Sequence, residues 1–100
     1  MQRREYVFEE SIKVLKGGES SAVSISATSA QSAAMTTNRV VIYSTVACWI
    51  RQGSNPTALS NGTDQYIPSE TMMRLTDITP GNKLAFIAAS AGTVYITPGA

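Results

Sequence analysis

The sequence predicts an all-β fold, a single β-sandwich. Short runs rich in Val, Ile, Tyr and Phe recur at roughly 8–12-residue spacing. Clusters of Gly, Pro, Asn and Ser separate them. Beyond residue 20 no segment is expected to form a helix of more than about two turns, which argues against a βαβ unit. At 100 residues there is room for one domain.

The elements follow in order. Ser21 to Ala27 alternates, with Val23 and Ile25 on one face and Ser24 and Ser26 on the other. Ala27 to Thr37 is small and polar, and reads as a loop flanking a weak strand. Arg39-Val40-Val41-Ile42-Tyr43 is a β-branched run, and Val46 to Gln52 follows after only Ser44-Thr45. That close spacing predicts a hairpin. Gly53-Ser54-Asn55-Pro56 stops the second run, and Ser60-Asn61-Gly62-Thr63-Asp64 is the strongest turn signal in the chain. Tyr66-Ile67 forms a short strand ended by Pro68, and Met72 to Leu75 forms another. Thr79-Pro80-Gly81-Asn82 turns into Lys83 to Ala89, and Ala91-Gly92 turns into Thr93 to Thr97. The expected core is Val23, Ile25, Val41, Ile50, Leu75, Phe86, Val94 and Ile96, the apolar positions of these strands.

Residues 1–18 stand apart from the sandwich expected over 19–100. Tyr6, Phe8, Ile12, Val14 and Leu15 fit neither a strict period of two nor a clean helical stripe, and Gly17-Gly18 follows like a hinge. An edge strand and an arm that docks on a neighbouring subunit both fit this pattern; a helix over Glu5 to Leu15 is the rival reading.

Charge is distributed unevenly. Eight Lys/Arg against seven Asp/Glu leave +1, too little to steer the chain to nucleic acid or to an anionic membrane. Arg3, Arg4, Glu5, Glu9, Glu10, Lys13, Lys16 and Glu19 fall in the first twenty positions, so the other eighty residues hold only seven charges. A neutral Ser/Thr/Ala skin suits a surface covered by neighbours, because a charge buried at an interface needs a partner. Leu84-Ala85-Phe86-Ile87-Ala88-Ala89 is apolar on both faces, so it should be central or covered by another subunit.

The sequence offers little chemistry. Without histidine there is no Ser-His-Asp or Cys-His nucleophile, and a single cysteine, Cys48, excludes an internal disulfide or a Cys-paired zinc site. Asp64, Glu70 and Asp77 lie in turns without a calcium-loop pattern, and acids in turns usually face solvent. Asn61-Gly62-Thr63 matches a glycosylation acceptor. Arg51 with Trp49 and Tyr43 would make a stacking platform for a base or sugar if the fold gathered them. No apolar run reaches the roughly 20 residues of a membrane helix, and no leader resembling a signal peptide is visible. The expectation is a non-enzymatic module without a metal or cofactor. Trp49 points away from Cys48 and Ile50; it is either core or an interface anchor. Tyr6, Phe8, Trp49 and Tyr95 are the candidate partner-binding residues.

Asn38-Arg39-Val40-Val41-Ile42-Tyr43, the strand ending Trp49-Ile50-Arg51-Gln52-Gly53, the polar insert into Tyr66-Ile67-Pro68, and Ala85 to Gly99 with its alanine-rich strand, Gly turn and terminal strand form a series. Together they resemble small virion proteins of tailed bacteriophages. The resemblance covers residues 37–100 and leaves 1–20 unmatched. It implies a jelly-roll-like sandwich serving as a capsid decoration or cement protein in the virion, assembled in the host cytoplasm. The implied partners are the major capsid protein or other virion subunits, with the chain itself a trimer or dimer. A tail or neck accessory protein and a carbohydrate- or host-surface-binding sandwich are the alternatives.

Overall fold

The computed structural model describes residues 20–99. Eight strands make up its regular structure: β1 (Ser21–Ile25), β2 (Ala30–Gln31), β3 (Val40–Ser44), β4 (Cys48–Gly53), β5 (Gln65–Ile67), β6 (Thr71–Leu75), β7 (Lys83–Ile87) and β8 (Gly92–Pro98). They form two four-stranded antiparallel sheets, ordered β1-β8-β3-β6 and β2-β7-β4-β5. The molecule is an all-β sandwich, and no helix occurs among the described residues. The expectations that fall on residues 1–18, including Tyr6 and Phe8, lie outside the described residues.

The pairing is nested. β4 pairs with β5, β3 with β6, β2 with β7 and β1 with β8, as if one long hairpin had been rolled up. Two further pairings, β3 with β8 and β4 with β7, close each sheet in the middle.

The hairpin expected between Arg39–Tyr43 and Val46–Gln52 does not form. β3 belongs to one sheet and β4 to the other, so the short link crosses the sandwich. Two features explain the crossing. Ser-Thr lacks the positive-φ residues a tight hairpin needs. Both runs also carry apolar residues that bury best in one core when they approach it from opposite sides. Thr45 stays with β8, its N–H donating to the Thr93 carbonyl (3.0 Å) and its Oγ1 accepting from the Thr93 N–H (3.0 Å). Val46 then turns inward against the core, and Cys48 opens the second sheet.

Strand alternation decides what fills that core. Val40, Ile42, Val94 and Ile96 from one sheet meet Cys48, Ile50, Ile67, Leu84 and Phe86 from the other, with Ile25, Met35, Ile78 and Ala88 closing the ends. Val23 and Leu75 pack against this cluster while only partly buried. Val41 is buried as expected, 5% exposed, although Val40 and Ile42 hold the positions facing the cluster between the sheets, which sets Val41 and Tyr43 on the other side of the strand. The run Val40-Val41-Ile42 does not itself reveal its phase.

β7 is central, as its two apolar faces require. Its outward residue Ala85 is fully buried, and the cover comes from this chain rather than from another subunit. The β4–β5 connection crosses the outer side of the sheet to reach β2. There the Gln31 amide donates to Asn55 Oδ1 (2.9 Å) and to the Pro56 carbonyl (2.8 Å), and the Ala58 N–H donates to Ser29 Oγ (2.9 Å). Pro56 and Ala58, both part of this strap, are buried.

Candidate functional site

Each sheet has an outer face, and the sequence-predicted contact residues divide between them. On β4 the order Cys48-Trp49-Ile50 turns Trp49 away from the core. Register then sets it between Tyr66 on β5 and Ile87 on β7. The Trp49 and Tyr66 rings lie 5.3 Å apart, tilted by 59°. Trp49 is half-buried and therefore no core residue, which settles its placement against the core reading. Tyr66 is 47% exposed. Beside the pair is a depression of about 170 Å³ lined by Ala27, Trp49, Ser60, Ile87, Ala88 and Ala89. That is small beside the roughly 300 Å³ at which ligand pockets begin.

Tyr95 lies on the other sheet's outer face. Ala22, Tyr95, Tyr43 and Met72 stand directly opposite one another across β1, β8, β3 and β6, so they form one row over the whole width of the sheet. With strands about 4.8 Å apart, the stretch from Tyr95 to Met72 spans about 10 Å. Tyr95 is 50% exposed and Met72 47% exposed. Flanking positions are Ser24, Thr93, Val41 and Thr97, and Arg74 is the one charged residue among the described strand positions of this face. The result is a flat, nearly neutral surface with aromatic and thioether groups at its centre, the composition that interface cores favour.

Trp49 and Tyr95 are thus not brought together. Tyr66, Tyr43 and Met72 complete the two rows; sequence reasoning named Tyr43 only for a stacking platform with Arg51 and Trp49, and missed Tyr66 and Met72. Only strand pairing shows their neighbours, although alternation inside Tyr66-Ile67 already sets the ring opposite the aliphatic side chain.

The stacking platform of Arg51, Trp49 and Tyr43 does not form, because Tyr43 is in the opposite sheet. Arg51 is engaged elsewhere: its Nε donates to Asp64 Oδ1 at 2.7 Å. Asp64 also corrects the expectation that acids in turns face solvent. Its side chain is only 4% exposed, and its Oδ2 accepts from the Leu59 N–H at 2.7 Å. Burial alone would raise the Asp64 carboxyl, but the Leu59 amide and the Arg51 guanidinium outweigh it and hold the group below the usual carboxylate range. Glu70 and Asp77 are exposed in turns, each with positive φ (53° and 60°). Among the described residues no group of three His, Cys, Asp or Glu is arranged to hold a metal ion. Cys48 is fully buried; burial pushes its thiol up, a shift that a hydrogen bond with Ser44 only partly offsets. No helix of the described residues is long and apolar enough to cross a membrane.

Comparison with protein-family models, curated proteins and solved structures finds no match.

Proposed function

We propose that this chain is a structural protein of a tailed-bacteriophage virion, a capsid decoration or cement module that adheres to shell subunits through its outer sheet faces. The observation that carries the adhesive part is the row Tyr95-Tyr43-Met72, with Tyr95 and Met72 exposed and Tyr43 half-buried, on a sheet face with a single charge among the described strand positions. A large aromatic pair beside a methionine on a flat neutral surface is costly to leave in water and suits a protein partner. The nested strand order supports reading the sandwich as a jelly roll of eight strands, the architecture that the resemblance implies. Its mechanism is adhesion alone: a rigid sandwich laid across a junction adds buried area between subunits that otherwise part under internal pressure. Repetition over a symmetric shell supplies avidity, so that each single contact can be weak. The partners in this reading are the major capsid protein or other virion subunits, with a trimer or dimer of this chain as the attached unit.

Cosedimentation with purified phage heads, paired with mass spectrometry of intact particles, tests the proposal. Presence at hundreds of copies per particle and binding that Tyr95→Ala and Met72→Ser together weaken about tenfold or more are the expected results. A stable monomer that ignores heads overturns it. Recovery with tails instead of heads moves the same module to the tail or neck. A glycan-binding module would need stacking rings; the 59° tilt of Trp49 against Tyr66 makes no flat platform for a sugar.

A further inference from the structure

The turn Asn61-Gly62-Thr63 is part of no contact row described above, yet it places three reactive features together at an exposed loop tip. Asn61 precedes glycine, so no Cβ shields the Gly62 backbone nitrogen from the Asn61 side chain. Gly62 has φ of +94° and open space around it. Thr63 turns both its donors onto one atom: its N–H (3.1 Å) and its Oγ1 hydroxyl (2.7 Å) donate to Asn61 Oδ1. Two donors on a carbonyl oxygen draw charge toward it and leave Cγ more electrophilic, the arrangement that stabilises an oxyanion in acyl transfer.

We infer that Asn61 is a site of spontaneous covalent modification, cyclising with Gly62 to a succinimide that water opens to aspartate and isoaspartate, with Thr63 assisting the cyclisation. The Gly62 nitrogen loses its proton to solvent and attacks Asn61 Cγ. The new C–N bond puts the negative charge on Oδ1, where Thr63 meets it. The Nδ2 amino group takes a proton from water and leaves as ammonia. Hydrolysis of the ring at Cγ gives aspartate; hydrolysis at the main-chain carbonyl gives isoaspartate, with the backbone rerouted through the side chain. Water is the sole co-reactant.

The other asparagines of the described residues differ in ways that the same chemistry disfavours. Asn55 precedes Pro56, which has no N–H to give up, and its Oδ1 is bound by Gln31. Asn38 and Asn82 precede Arg39 and Lys83, whose side chains crowd the attacking nitrogen, and Asn82 Nδ2 donates to Gln52 (3.1 Å). The product also has a structural consequence. Isoaspartate adds a methylene to the backbone inside the loop that Asp64 closes onto Leu59, and either product adds a negative charge close to Asp64. Modification therefore loosens the strap anchored by Arg51. This inference is independent of the proposed virion role.

The test incubates the whole chain in warm, mildly alkaline buffer and follows it by intact and peptide mass spectrometry. The expected result is a gain of about one dalton per chain confined to the Asn61 peptide, which separates into aspartyl and isoaspartyl forms, the latter methylated by an isoaspartyl methyltransferase. Asn61→Gln stays unmodified. Thr63→Val slows conversion about three- to tenfold, whereas Thr63→Ser retains the wild-type rate. Conversion of Asn61 no faster than that of Asn38 and Asn82 overturns the site. Conversion of Thr63→Val at or above the wild-type rate overturns the assistance by Thr63.

Discussion

Gly92 begins β8, and its lack of a side chain is a matter of space. A Cβ there would lie 2.6 Å from Val46 Cγ2 and 2.8 Å from Thr45 Oγ1, at the point where the chain crosses between sheets. Neither neighbour can retreat cheaply, because Val46 packs on the core and Thr45 is bonded to Thr93. Gly92→Ala should therefore lower stability by about 1–3 kcal/mol in urea unfolding. Val46→Ala in the same chain should recover part of that loss, a coupling that a double-mutant cycle reads directly. Cys48 gives a second test at this scale. Its thiol is fully buried, so alkylation in native buffer should be negligible and should rise in step with unfolding in denaturant. Rapid labelling of the native protein would contradict its place in the core.

Among the elements, the β4–β5 strap is locked by a salt bridge, Arg51 with Asp64. The Asp64 carboxyl titrates below its ordinary value in the folded chain, so its stabilisation is complete above about pH 4 and drains away as the pH falls through the lowered value. Replacing Asp64 by Asn should cost about 1–2 kcal/mol at neutral pH, discounted for the partial exposure of Arg51, and should flatten the acid limb of the stability curve. Thermal melts of both proteins between pH 7 and pH 3 check this; parallel curves would show that Asp64 contributes nothing. Elements were also where the sequence spoke most clearly. Alternation in Val23-Ser24-Ile25, the Pro68 stop after Ile67, and Pro80-Gly81 before Lys83 all marked real boundaries. Pairing was not legible. Ser44-Thr45 weakly disfavours a tight hairpin but does not say that the next strand crosses to the opposite sheet, and that crossing decides that Tyr95 meets Tyr43 and that Arg51 does not. The strap was equally hidden, since its bonds join Gln31 and Ser29 to residues far along the chain.

At the scale of the whole molecule, β8 occupies an inner position although it is the last of the described strands. It pairs with β1 on one side and β3 on the other, and supplies Val94 and Ile96 to the core. A chain ending at Ala91 should therefore lose cooperative unfolding altogether, where removal of an edge strand would cost only part of the stability. Near-ultraviolet circular dichroism and a denaturant titration distinguish the two. The rolled pairing order also imposes a schedule. Contacts between β4 and β5 close a short loop, while those between β1 and β8 must gather nearly the whole described length, so refolding belongs to the slow, millisecond-to-second class of non-local β topologies. During synthesis the constraint is sharper. Among the described strands β1 has no neighbour in its own sheet until β8 has left the ribosome, and β3 presents the edge that β8 will fill over the same interval. Both β1 and β3 thus lack the partner that β8 supplies until it is made, and in that interval this fold is most open to mispairing with other chains.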